Sequence, residues 1–296
     1  MKKTNKIKQS RASRLFDAIN YSFLFILMLI TLYPFWYVIV ASISDNSSLQ
    51  AAEGIILLPV GKINFGAYKL AFEHSLLLSS YKNTIVLLLV SLPINIIMTL
   101  FCANFLAAKN LMFKRPLTLF MLFTMYFSGG MIPAYLNVKE LGLYNSMWAL
   151  ILPGALSLYN AIITKTAIEG IPDSLSESAY LDGAGELTVL FRIIFPLLKP
   201  TIAVLILYYG VGLWNSWFSA SIYIKDNTKL PLQNILRSIM IENSGLSVQE
   251  GDVVANSFTE TIKYAVVIIS TLPILCVYPF LQKYFAKGVM IGAVKG

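Results

Sequence analysis

Six stretches of the chain, residues 18–44, 83–108, 116–138, 141–164, 200–224 and 264–282, contain no Asp, Glu, Lys or Arg, and the next longest such gap is eight residues. A charged side chain costs about 2.5 to 3.5 kcal/mol at the centre of a membrane helix on insertion scales, so these gaps mark where spans can lie. Each reaches or nearly reaches the ~20 residues that cross about 30 Å of hydrocarbon at ~1.5 Å per residue. The shortest, with Pro273 and Pro279, can extend past Lys263 or Lys283 by snorkelling. The pattern predicts an all-α polytopic membrane protein of six transmembrane helices forming one domain over residues 1–296. Composition agrees: 57% of residues are hydrophobic and only 13% charged, about half the charge of a soluble domain.

Orientation follows from the basic residues, which are retained on the cytoplasmic side. Lys2, Lys3, Lys6, Lys8, Arg11 and Arg14 precede the first span. With the N-terminus inside, cytoplasmic segments hold 15 Lys and Arg and external ones 8. Both termini are therefore expected in the cytoplasm. The apolar run after Arg14 is too long for the h-region of a signal peptide and lacks a clear Ala-x-Ala site, so the first span is expected to stay. The basic cluster reads as a topology determinant and not as a nucleic-acid site.

The enzymatic signals are missing. The only histidine, His74, lies in an expected external loop, which leaves no His-based triad and no zinc motif. Gly61-Lys62 lacks the rest of a phosphate loop. Cys102 and Cys276 both lie in spans and read as packing residues, so no metal or other cofactor is expected on this chain. The gaps also lack the ionisable relay of a proton-driven carrier. If the protein pumps, another subunit is expected to supply the energy.

Breakers interrupt the spans: Ser128, Gly129, Gly130 and Pro133 in the third, Pro153 and Gly154 in the fourth, Gly210 and Gly212 in the fifth. Backbone groups freed at membrane depth must face protein or a water-filled cavity. Close helix packing is the alternative use of such glycines. The Gly129-Gly130 pair is the best local pointer to a passage.

The acidic side chains concentrate in one cytoplasmic connection, residues 165–199, with Glu169, Asp173, Glu177, Asp182 and Glu186. Pro172 and Asp173 are expected to open a helix, with Ser174 and Glu177 in capping-box spacing and Gly183 as its left-handed end. A second amphipathic helix is expected from about Gly185 to Phe195, with Leu187, Leu190, Phe191 and Ile194 on one face before Pro196. The connection reads as helix, turn, helix along the inner surface.

The same run, Glu177-Ser178-Ala179-Tyr180-Leu181-Asp182-Gly183-Ala184 followed by Phe191, Ile194, Pro196 and Pro200, resembles the EAA loop of binding-protein-dependent ABC importers. That loop reads E-A-A-x-x-D-G-A and then I-x-L-P, so Ser178 and Phe195 are small departures. Asn83-Thr84, Ile132 to Leu136, Leu141 to Asn145, Trp214-Asn215 and the terminal Gly-Ala-Val-Lys-Gly are similar to the carbohydrate permeases of that family, the last to the maltose-type second permease. Phe127-Ser128-Gly129-Gly130 looks like the subgroup for oligosaccharide and polysaccharide-derived substrates, including alginate importers.

The resemblance implies the type I ABC importer permease fold, with the EAA loop at about 171–200. Glu177, Ala179, Asp182, Gly183, Ala184 and Pro196 would belong to a coupling helix and its turn, seated on a cytoplasmic ATPase; capping and termination of that helix are alternative roles for Glu177 and Gly183. It also implies a second permease subunit, two ATPase subunits using ATP and Mg, a solute-binding protein outside, a sugar substrate and a place in the bacterial plasma membrane. The tail from Lys287 to Gly296 would lie near the ATPase. External residues 225–263, with Pro231-Leu232-Gln233, suit contact with the binding protein. For the passage, Tyr126, Phe127, Tyr159, Trp214 and Asn215 join Gly129 and Gly130 as candidates, packing being the aromatic residues' alternative. An importer for a peptide or polyamine, or a carrier working alone, are the competing readings.

Overall fold

A computed structural model of the chain describes residues 10–109, 112–242 and 260–292, which are helical in the main and contain no strand. Residues 243–259 of the expected external segment and the last four residues of the expected ATPase-contacting tail lie outside the described residues. Three single helices are long and apolar enough to cross a membrane: Arg11–Ser42, Leu77–Ala107, and Thr261–Phe280 within the longer Thr261–Gly292 helix. Two bent pairs raise the number to five: Lys114–Tyr126 with Met131–Glu140 at 112°, and Glu186–Leu197 with Lys199–Trp214 at 83°.

The breaks fall at the residues that sequence chemistry singles out. Gly130 has φ +94° and N-caps Met131–Glu140, its N–H donating to Ser128 Oγ at 3.3 Å. A Cβ is disfavoured in that backbone region. The expected 141–164 span is not one helix: Trp148–Ile151 and Leu158–Glu169 are separated by residues 152–157, which contain Pro153 and Gly154. Leu158–Glu169 alone covers only about 18 Å. The second bend lies between Pro196 and Pro200, with Leu198 as the N-cap of Lys199–Trp214.

The chain forms two compact units. In the first, which takes residues up to Ala71 and Met240–Ile269, Val40, Ala41, Leu49 and Ile56 make a small core against Tyr37, Val60 and Tyr264. Asp45 caps Asn46–Ala51 through the Ser48 N–H, and both nearby serine hydroxyls donate to it, holding its carboxyl below the usual range. The Arg11–Ser42 helix is exposed along almost all its length, with only Val40, Ala41 and Ser42 buried.

The second unit takes Phe72–Ile239 and the residues from Ser270. Here Leu77–Ala107 packs along both Leu158–Glu169 and Lys199–Trp214. The contact face of Leu77–Ala107 carries a polar seam: Ser80, Thr84, Ser91, Asn95 and Thr99 are each at most 2% exposed. Their spacings of four and seven residues keep them on one side of a 3.6-residue helix. Thr84 Oγ1 accepts the Leu232 N–H at 2.8 Å, and Thr99 shares a 2.7 Å hydrogen bond with the Tyr209 hydroxyl.

Tyr209 does a second job, because its hydroxyl accepts the Ser157 N–H at 3.0 Å and so ties down the break before Leu158–Glu169. Tyr209→Phe would leave the Ser157 N–H and the Thr99 hydroxyl without this partner. Orphaned buried groups cost about 1 to 3 kcal/mol, so a lower melting temperature of the solubilised protein is expected; an unchanged melting curve would remove Tyr209 from the clamp.

Candidate functional site

The acidic connection folds as a helix, a turn and a second helix. Asp173–Leu181 ends in a paired-bond turn: the Ala184 N–H donates to Ala179 O at 2.9 Å and the Gly183 N–H to Tyr180 O at 3.0 Å, with Gly183 at φ +84°. This is the Schellman arrangement, which needs a left-handed residue at the Gly183 position and favours an apolar contact between its two flanks. Ala179 and Ala184 supply those flanks and both pack on the same cluster, formed by Leu100, Val189, Leu190, Ile194 and Leu198. Three residues of the motif are thereby explained by the turn itself. Across it, the Tyr180 hydroxyl donates to Glu186 Oε2 at 2.9 Å; partial burial first, then this bond, hold the phenol above its usual range.

Two local expectations change. Pro172, not a serine, occupies the N-cap, and no side chain caps the helix, so Ser174 and Glu177 do not form a capping box. Ser174 sits one residue inside the helix, too late to cap. The following segment is helical over Glu186–Leu197, but Val189–Ile194 is a π-helix. Its wider turn brings residues five apart into line, so Val189, Leu190 and Ile194 are buried while Leu187 is 61% exposed and Phe191 40%.

With Glu177 released from capping, it is exposed together with Asp182, Gly183 and Pro196. Leu181, which sequence reasoning passes over, is 89% exposed between these acids. Its signal is an apolar residue beside the motif's Asp-Gly. The surface combines an apolar knob with carboxylates, the chemistry that fits a groove with basic edges. Lys109 pairs with Asp173 at 2.6 Å, and that bond and charge raise the ammonium's pKa, yet the side chains are 72% and 65% exposed. Such a pair contributes little to stability.

The candidate passage residues are dispersed. Tyr126 is 85% exposed, and Phe127, at the 112° break with Gly129 and Gly130, stacks on Phe123 at 5.1 Å. Trp214 is buried: its Nε1–H donates to Ser270 O at 3.0 Å, and its ring lies 6.5 Å from Tyr81. It packs in an apolar cleft with Leu88, Leu92 and Pro273. Asn215 turns back on its own helix, donating to Val211 O at 2.8 Å. Tyr159 is separate from these, on a largely apolar cleft whose lining also includes Asn95, Asn160 and Tyr208. Among the described residues no group of His, Cys, Asp and Glu is arranged to hold a metal.

Apolar helices broken at glycine and proline, with a polar helix–turn–helix between two of them, are those of a polytopic membrane protein. The family model for the binding-protein-dependent transport system inner membrane component matches residues 63–291, and the chain belongs to that family. It is a multi-pass protein of the bacterial plasma membrane. It is 39% identical over 286 residues to the polygalacturonan/rhamnogalacturonan transport system permease protein YtcP of Bacillus subtilis strain 168, covering 96% of this chain and 99% of that one. Protein LplC of the same organism is 42% identical over 298 residues and the full length of both. A chain in the crystal structure of a bacterial ABC transporter involved in the import of the acidic polysaccharide alginate superposes with a TM-score of 0.82 at 31% identity, covering 95% of this chain and 100% of that chain. The resemblance to polysaccharide-type ABC permeases is borne out, and with it the type I permease fold.

Proposed function

We propose that this chain is one half of the membrane passage of an ATP-driven importer of polysaccharide-derived oligosaccharides, with uronic-acid oligomers such as oligogalacturonides first among them. The likeness to YtcP along nearly the whole of both chains carries the substrate class. The second half is a partner permease, two ATPase subunits supply the energy with ATP and Mg, and a solute-binding protein delivers the sugar outside. The chain crosses the membrane six times with both termini in the cytoplasm. The fourth crossing is made by Trp148–Ile151 and Leu158–Glu169 about their non-helical link, in contact with protein or water where the backbone is open.

The exposed Leu181 with Glu177 and Asp182 docks on the ATPase, and the Gly183 turn transmits its motion through the Ala179 and Ala184 contacts to the spans. Energy enters the fold there because the same apolar cluster joins the loop to Ile96 and Leu100 of Leu77–Ala107 and to the end of Leu158–Glu169. Reconstitution with partner permease, ATPase and binding protein is expected to give ATP-dependent uptake of oligogalacturonides into vesicles. Uptake that persists with the ATPase omitted would sink this reading, and ATP-dependent uptake of a peptide or polyamine in place of sugars would move the chain to another importer class.

A further inference from the structure

The eight residues 54–61, between Glu53 and Lys62, carry no charge and include Ile55, Ile56, Leu57 and Leu58 in a row. Ile56 is buried in the first unit with Val40, Ala41 and Leu49, whereas Ile55, Leu57 and Leu58 are 77%, 58% and 74% exposed. Bare aliphatic runs persist where something other than water covers them.

The segment is fastened to the C-terminal part of Arg11–Ser42. The Trp36 Nε1–H donates to Leu57 O at 2.8 Å, and the Ile56 N–H donates to the Tyr33 hydroxyl at 3.2 Å. Val60, by contrast, donates its N–H to Ser44 Oγ at 3.0 Å, just past the end of the helix. Traced back from Val60 to Ile56, the chain therefore folds along the last turns of the helix. Counted from Asp17, the ~20 residues that cross the hydrocarbon end near Tyr37. Tyr33, Trp36 and Tyr37 are the residue types that gather at that boundary. Residues 55–58 thus stand where headgroups give way to acyl chains.

That level decides the occupant. Aromatic and Arg anchors carry most protein interfaces, and the exposed side chains here are aliphatic. Lipid asks only that apolar surface be covered and that backbone groups be satisfied. Tyr33 and Trp36 meet the second demand at the middle of the segment. Trp36 and Ile39, each 45% exposed and neighbours on the helix surface, join the segment to the bare surface of the span.

Resting on the topology given above, we propose that residues 55–58 are a lipid anchor: Ile55, Leu57 and Leu58 dip into the outer leaflet of the plasma membrane and moor the outer end of the first span there. Glu53 and Lys62 stay in water on either side of the dip.

The test uses the complete transporter reconstituted in vesicles of phosphatidylethanolamine and phosphatidylglycerol, with Cys102→Ala and Cys276→Ala as background. Spin labels on Ile55→Cys and Leu58→Cys are expected to meet oxygen more than a water-soluble nickel chelate, at a depth of about 5 to 10 Å into the boundary between headgroups and acyl chains. Labels on Glu53→Cys and Lys62→Cys should favour the chelate. Labels at positions 55 and 58 as open to the chelate as that at 53 would overturn the anchor in favour of a solvated loop. Labels closed to both oxygen and chelate would overturn it in favour of a protein contact. In whole cells an impermeant thiol reagent should reach Lys62→Cys; reaction only in inverted vesicles would instead overturn the topology on which the proposal rests.

Discussion

Gly183→Asp is expected to lower substrate-stimulated ATP hydrolysis and uptake by about tenfold or more while the chain still inserts and assembles in the membrane. Two effects add. The position has φ +84°, where a Cβ costs about 1 to 2 kcal/mol even though nothing crowds it. The new carboxylate also stands on the surface already carrying Glu177, Asp182 and Glu186, where it adds like charge to the proposed docking face. Gly183→Asn tolerates the left-handed region without the charge and should lose less, so the two variants separate conformation from electrostatics. Normal stimulated ATP turnover in Gly183→Asp would refute coupling through this turn.

Asn145→Ala should be the most damaging single change on the side read as external. Asn145 has φ +59°, its N–H donates to Tyr223 O at 2.8 Å, and its Oδ1 accepts the Lys225 and Asp226 N–H groups at 3.0 Å each. Alanine bears the left-handed backbone penalty and leaves the half-buried Asp226 N–H without its acceptor, while the exposed Lys225 N–H can turn to water, a combined cost of about 2 kcal/mol. Glycine relieves the backbone but not the donors, and aspartate keeps the acceptor. Thermal unfolding of the solubilised complex should therefore rank wild type and Asn145→Asp above Asn145→Gly, and that above Asn145→Ala. Equal melting points for the glycine and alanine variants would discard the conformational part, and a weak aspartate variant the acceptor part.

The parts of this molecule legible in sequence are those whose chemistry is extreme. Charge-free runs located the Arg11–Ser42, Leu77–Ala107 and Thr261–Gly292 helices because ionised groups are so costly in lipid. Gly183 was legible as a left-handed turn, and Gly130 and Pro153 as breaks, because few residues fit those backbones. The neutral polar seam was not. Ser91, Asn95 and Thr99 sit inside a run with no charge, so a search by charge passes over them, although their four-residue spacing was there to be read. The π-helix at Val189–Ile194 was invisible for another reason: apolar residues at positions 187, 190, 191 and 194 satisfy an α-helical face equally well, and the packing of Val189, Leu190 and Ile194 on Leu198 decides between them. The Trp214 indole illustrates a third limit, since its donation to Ser270 O joins two spans far apart in sequence.

The breaks at residues 127–130 and 152–157 also bear on biogenesis. Long unbroken helices such as Leu77–Ala107 satisfy their own backbone and can leave the translocation machinery for lipid one at a time. Lys114–Tyr126 and Leu158–Glu169, at 13 and 12 residues, are each shorter than the bilayer and end in open backbone. Leu158–Glu169 finds its main neighbour, Leu77–Ala107, already made, whereas Lys114–Tyr126 packs on Leu158–Glu169 and is expected to settle only once that later segment has been synthesised.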